Sequence, residues 1–153
     1  MSLSTDHINA VLRGNCYTKP YFIGTFPACT EINPPRRKFY SFVTNTDNHD
    51  SPGTHWNAWS VRGNEVLFFD SFGRSPYSDA FPHSYRDILL KFKSVRYSKR
   101  CIQHVDSFTC GYFSIHFILC ISLGLRIEDF LLDYSNDKIK NDVIVIELLN
   151  SIQ

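Results

Sequence analysis

Four residues whose side chains can together perform acyl transfer occur in the order His55, Asp70, Gln103, Cys110. Cys110 stands where the polar "HVDSFT" changes into the apolar "CGYFSIHFILCI", which puts its thiol at the start of a helix. The unpaired N–H groups and the dipole at such an end favour the thiolate, the reactive form. Cys120 lies inside the apolar run, where a packing thiol belongs. Gly111, directly after Cys110, leaves room for a substrate backbone and a free N–H. A Cys nucleophile needs a base, and the base needs a group that orients it. His55 opens one strand-like segment, ahead of Trp56, and Asp70 closes the next. Adjacent antiparallel strands bring the two together, so that the carboxylate holds the imidazole tautomer. Gln103 precedes Cys110 across a polar loop, and its side-chain N–H can join the Cys110 N–H in holding an oxyanion. Taken singly, each has a plainer use: an inert core thiol, a satisfied strand histidine, a turn-forming Asp, a polar loop Gln. Their joint occurrence at four element boundaries favours the catalytic reading.

The elements that must position them are readable from period and punctuation. Thr5 or Asp6 is expected to cap a short helix with Ile8, Val11 and Leu12 on its apolar face and Gly14 at its end. "PYFIGTFPAC" reads as loop, strand and loop, and "KFYSFVT" (38–44) as a strand. "NTDNHDSPG" (45–53) is a turn-rich loop. "THWNAWSV" and "EVLFFD" flank a tight turn at 62–64 and form a hairpin. A helix is expected over 84–93, a strand over 94–102, the apolar helix over 110–123, and a C-terminal helix over 135–150 facing inward through Ile139, Val143, Ile146 and Leu149. The order indicates an α+β fold: a central mixed or antiparallel sheet packed by helices, with Cys110 at the N-terminus of a buried one.

The totals set the bounds. A chain of 153 residues with 43% hydrophobic and 15% aromatic content builds one domain, 1–153, with an ordinary core, and excludes disorder. The net charge of +1 points to no polyanion partner, although "RRK" (36–38) and Lys91, Lys93, Arg96, Lys99 and Arg100 cluster locally. Five scattered Cys argue for a reducing compartment rather than a disulfide framework. No signal-peptide pattern opens the sequence, and the run after Cys110 is too short and polar to span a bilayer, so no membrane association is expected. A monomer is expected.

Here a resemblance enters. "PYFIGTF" (20–26), "GTHWNAW" (53–59), "FFDSFG" (68–73) and "QHVDSFTCGYF" (103–113) resemble, in order, motifs of the adenain-like cysteine proteases, the group that also holds the ubiquitin-like-protein proteases. The chain departs from adenain in carrying Asp70 where Glu is common, and in its shorter C-terminal part. The resemblance implies an endopeptidase with nucleophile Cys110, base His55, orienter Asp70 and oxyanion donor Gln103, with Trp56 and Gly111 nearby and no metal. It implies protein substrates cut at small or Gly-containing sites, viral precursors among them, in the virion and host nucleus. It further implies that no cofactor is required, and that DNA or a peptide can activate. DNA would bind at Lys91, Lys93, Arg96, Lys99 and Arg100. Cys101 is in a context similar to that of a Cys which in adenain pairs with an activating peptide.

Rival readings use the same residues. A ubiquitin-like-protein deconjugase shares all four, though such enzymes carry extra surface for the modifier. A bacterial acetyltransferase family uses a similar His–acid–Cys arrangement. Cys101, His104 and Cys110 could hold zinc with Cys29 as a fourth ligand, which would consume the nucleophile. A binding-only relative would have lost one of the four residues, and none is lost. His104 competes with His55 as the base but has no evident acid partner, and His116 is expected to pack within its helix.

Overall fold

In a computed structural model, residues 2–47 and 55–152 are described. Most of the 45–53 turn expectation, with His49, lies outside them. Helix α1 (Thr5–Gly14) is capped by Ser4, whose side chain accepts from the His7 N–H, one position earlier than expected. Asp6 in its first turn and Arg13 in its last complement the helix dipole, and Ile8 and Leu12 are buried. Gly14 is still helical, and Asn15 forms the C-cap.

Strands β1 (Phe22–Phe26), β2 (Phe39–Asn45), β3 (Trp56–Arg62), β4 (Glu65–Phe69) and β5 (Ser94–Tyr97) form one sheet in sequence order. The β2–β3 and β3–β4 pairs are antiparallel, and the two outer pairs are parallel. The sheet is therefore mixed. Gly63, at φ 61°, makes the tight β3–β4 turn that the sequence signals. Strand β5 is shorter than the expected 94–102, because residues after Tyr97 leave the sheet for a loop.

Helices cover both faces. Helix α2 (Ser84–Leu89) sits over Trp59, Val61, Val66 and Phe68, in a cluster rich in aromatic edge contacts. It ends before the expected 93, with Leu90 exposed. The other face carries helix α3 (Cys110–Ser122), whose Phe113, Ile115, Phe117 and Ile118 are all fully buried. A helix apolar on every side is one surrounded by protein, and α1, β3 and two further helices surround this one.

Those two helices correct the sequence reading. The short α4 (Ile127–Leu131) was not anticipated; Asp129 caps its start by accepting from the Arg126 N–H. In α5 (Lys138–Ile152) the inward residues are Asn141, Asp142, Val145 and Leu149, while Ile139 and Val143 are exposed. Polar contacts set this rotation. The Asn141 amide donates to the Ile102 and Ser135 carbonyls at 3.0 and 2.8 Å, and Asp142 accepts from the Thr109 hydroxyl at 2.8 Å. An apolar-face count cannot register such contacts. The architecture agrees with the expected α+β class.

Candidate active site

The β3–β4 hairpin brings His55 and Asp70 together. Its register pairs Ala58 with Phe69, so Asp70, one residue past β4, falls opposite Asn57 and diagonal to His55, one residue before β3. Alternation puts all three on one face of the hairpin. His55 Nε2 lies 2.5 Å from Asp70 Oδ1. The Asn57 side-chain nitrogen donates to the same oxygen at 3.0 Å, while the Arg74 backbone N–H and Nε donate to Oδ2 at 3.0 and 2.8 Å. Burial alone would raise the Asp70 carboxyl, but hydrogen bonds from His55 and Arg74, with their positive charges, hold it below its ordinary value. It is thus an ionised acceptor.

Cys110 is the first residue of α3 and is buried. Burial would push the His55 imidazole down. Hydrogen bonds to Asp70 and to the Cys110 sulfur, with attraction from both, outweigh it and raise His55 to about 9. Since Asp70 occupies Nε2, Nδ1 is the ring nitrogen left for a sulfur partner. Phe72 stacks on the imidazole at 5.2 Å between ring centroids, and the Arg74 guanidinium lies over Phe72 at 5.3 Å. The arrangement can hold an imidazolium beside a thiolate.

No side chain caps α3, because the Thr109 hydroxyl is turned away to Asp142. The first-turn N–H groups therefore keep their affinity for an anion. Gln103 is buried in the preceding loop. Its Oε1 accepts from the Ser71 hydroxyl at 2.5 Å, and its nitrogen donates to the Ser107 carbonyl at 3.0 Å. The amide is fixed at both ends, with a second N–H left over.

Trp56 and Gly111 pack together with Leu3 at the start of α3. Trp56 is buried and donates through Nε1 to the Leu3 carbonyl at 3.0 Å. A Cβ on Gly111 would stand 3.2 Å from both Leu3 Cβ and Trp56 Cδ1. The missing side chain lets the start of α3 seat on the tryptophan; room for substrate was the sequence expectation. His104 is occupied locally, its Nδ1 accepting from the Asp106 N–H at 3.2 Å. Among the described residues, no three His, Cys, Asp or Glu side chains converge to hold a metal, so Cys101, His104, Cys110 and Cys29 form no such group. Cys101 is a free thiol. His116 is buried within α3 as expected, with Nδ1 2.5 Å from the Tyr134 hydroxyl.

The basic residues do not form one open patch. Lys91 donates to the Ile32 carbonyl, Arg96 pairs with Glu65 and Glu128, and Arg100 clamps the Leu131 and Tyr134 carbonyls; Lys93 and Lys99 are exposed. No described helix is long and apolar enough to cross a membrane.

Sequence reasoning missed Asn57, Ser71, Phe72, Arg74 and Tyr85. Asn57 was within reach, since the hairpin turn fixes the register that sets it opposite Asp70. Tyr85 reaches the site from α2, which packs on the sheet face that also carries Asn57, Trp59 and Asp70, and nothing local signals it.

Comparison with known proteins follows the same lines. No family model matches the chain. The "Protease" of Human adenovirus A serotype 12 is 25% identical over 131 residues, covering 77% of this chain and 63% of that protein. The chain thus spans less than two thirds of that relative's length. Two crystal structures of the ASFV pS273R protease, one of them of the Se-Met protein, align with a TM-score of 0.44 at 20% identity. They cover 71% of this chain and 42% and 43% of theirs. At that level the chain is similar to an adenovirus protease, of the group that its four motifs resemble.

Proposed function

We propose that the protein is a cysteine endopeptidase that hydrolyses peptide bonds through a thioester on Cys110. The observation that carries this reading is the buried His55–Asp70 pair, 2.5 Å apart, with Cys110 at the uncapped start of α3 among the groups that raise the imidazole. The pair acts as imidazolium and thiolate. The Cys110 sulfur attacks the scissile carbonyl carbon, and the carbonyl electrons move onto oxygen. The Gln103 amide and the Cys110 N–H hold that oxyanion. As it collapses, the C–N bond breaks and His55 delivers its proton to the leaving amine. His55, now neutral, takes a proton from water, which attacks the thioester and frees the acid and the thiol. Asp70, kept ionised by His55 and Arg74, fixes the tautomer throughout.

The adenovirus relative is a protease. Protein substrates follow by similarity, with viral precursors cut at Gly-containing sites as the specific case. DNA or a peptide activator, and a virion or nuclear setting, are part of the same proposal. The test is turnover of Gly-containing peptides by the native chain and by Cys110→Ala, beside ubiquitin-like modifier fusions and acetyl-CoA. Cys110-dependent cleavage of the peptides supports the reading. Turnover confined to the fusions or to acetyl-CoA replaces it with deconjugation or acetyl transfer.

A further inference from the structure

Behind Asp70 runs a chain of buried hydrogen bonds that the proposed reaction does not itself require. Trp59 Nε1 donates to the Thr44 hydroxyl at 2.8 Å, and Thr44 donates to the Tyr85 hydroxyl at 2.8 Å. Tyr85 donates to Asn57 Oδ1 at 2.7 Å, and the Asn57 nitrogen donates to Asp70 Oδ1 at 3.0 Å. Thr44, Asn57, Trp59, Tyr85 and Asp70 are each at most 2% exposed, and they come from β2, β3, α2 and the end of β4.

The direction of the chain is forced from the Asp70 end. The indole at the other end can only donate, so Thr44 accepts from it and keeps its own proton for Tyr85. The Tyr85 hydroxyl, having accepted, has its proton left for Asn57 Oδ1. At the far end the ionised Asp70 can only accept. That constraint turns the Asn57 amide nitrogen towards Asp70 and leaves its oxygen to accept from Tyr85, and the Trp59–Thr44–Tyr85 bonds run in the direction this requires. The amide N–H lands on Oδ1, the oxygen that holds the His55 ring.

We propose that Asn57 and Tyr85 are positioning residues of the His55–Asp70 pair: the buried chain between Trp59 and Asp70 holds the Asn57 amide so that it draws charge from Asp70 Oδ1 and limits how tightly that oxygen holds the His55 proton. Its catalytic consequence rests on the protease reading above; its physical content does not. The charged or titratable groups facing the pair are Arg74, Cys110 at the start of α3, and Tyr85 from α2. Without the Asn57 donor, Oδ1 becomes a stronger acceptor and the imidazolium gives up its proton less readily. That proton is the one delivered to the leaving amine.

The experiment follows the His55 ring resonance by NMR against pH in the native chain, Tyr85→Phe and Asn57→Leu. Tyr85→Phe removes the hydroxyl that anchors Asn57 Oδ1 and loosens the amide's hold on Asp70; Asn57→Leu removes the donor outright. The apparent His55 titration moves to higher pH by about half a unit or more in both, the scale of one lost hydrogen bond. On a Gly-containing peptide kcat falls while KM holds, since neither side chain reaches the surface. A purely structural role lowers stability and leaves the titration in place. An unmoved titration, or one moved to lower pH, in either folded variant overturns the proposal. If the native chain cleaves no peptide, the protease reading fails, and the titration still decides the chain's role.

Discussion

Gly73 ties the two halves of the site together, and replacing it with Ala tests that coupling. It closes the turn after Asp70, its N–H donating to the Asp70 carbonyl at 2.8 Å, with φ 73°. An alanine there meets two separate penalties. The left-handed backbone disfavours an L side chain by ~1–2 kcal/mol. The new Cβ would also stand 2.6 Å from the Lys99 carbonyl oxygen and 2.7 Å from the Arg100 carbonyl carbon. Those are backbone atoms of the segment that leads to Gln103, and they cannot swing aside, which adds about 1–3 kcal/mol of overpacking. The total is ~2–5 kcal/mol, or roughly 4–20 °C in Tm for a domain of this size. Gly63→Ala is the internal control. Gly63 has φ 61° but nothing within 4 Å of its would-be Cβ, so it bears only the backbone term. Thermal and denaturant unfolding of both variants isolates the clash as their difference. Peptide turnover should fall more in Gly73→Ala, because the displaced backbone carries Asp70 on one side and Gln103 on the other. Equal destabilisation of the two variants would refute the close approach of the Asp70 turn to residues 99–100.

Gln103→Ala should fold, keep Cys110 reactive towards iodoacetamide, and lose about 10²–10³ in kcat, the usual effect of removing one oxyanion donor; a native kcat would deny Gln103 that role. Because the folded His55 titrates near 9, above its ordinary value of about 6.5, its charge stabilises the fold fully below about 6.5 and ceases to as pH rises through 9. The Tm gap between native and His55→Gln chains should therefore narrow between pH 6.5 and 9, and a constant gap would contradict the assignment. If DNA activates the enzyme, the effect should fall steeply with salt, and neutralising Lys93 and Lys99 should reduce the salt slope; activity indifferent to DNA at low salt leaves these as solvated surface residues.

The sheet and the placement of His55, Asp70 and Cys110 were legible because their signals are local. Alternation and the Arg-Gly-Asn turn gave β3 and β4, and the polar-to-apolar change at Cys110 marked the start of α3. His55 and Asp70 could be paired from the hairpin alone. The inward face of α5 was misread because Asn141 and Asp142 turn inward to satisfy the Ile102 carbonyl and Thr109, a requirement set by distant residues. The packing constraint on Gly111 was hidden for the same reason: Leu3 and Trp56 are brought against it only by the tertiary fold. The basic cluster looked continuous along the chain, yet Arg96 and Arg100 are committed to acidic side chains and helix-end carbonyls. Tyr85, on the opposite sheet face from α3, joins the Asp70 network solely through the tertiary fold.

The most direct measurement of the proposed chemistry is the mass of the covalent intermediate. The native chain is mixed with a Gly-containing peptide and quenched in acid within the first turnover, where a thioester survives, and the protein is digested and weighed. The prediction is an added mass equal to the N-terminal acyl fragment of the peptide, located on the fragment that contains Cys110 and absent in Cys110→Ala. Peptide cleavage with no acyl adduct, undiminished in Cys110→Ala, would contradict a Cys110 thioester mechanism.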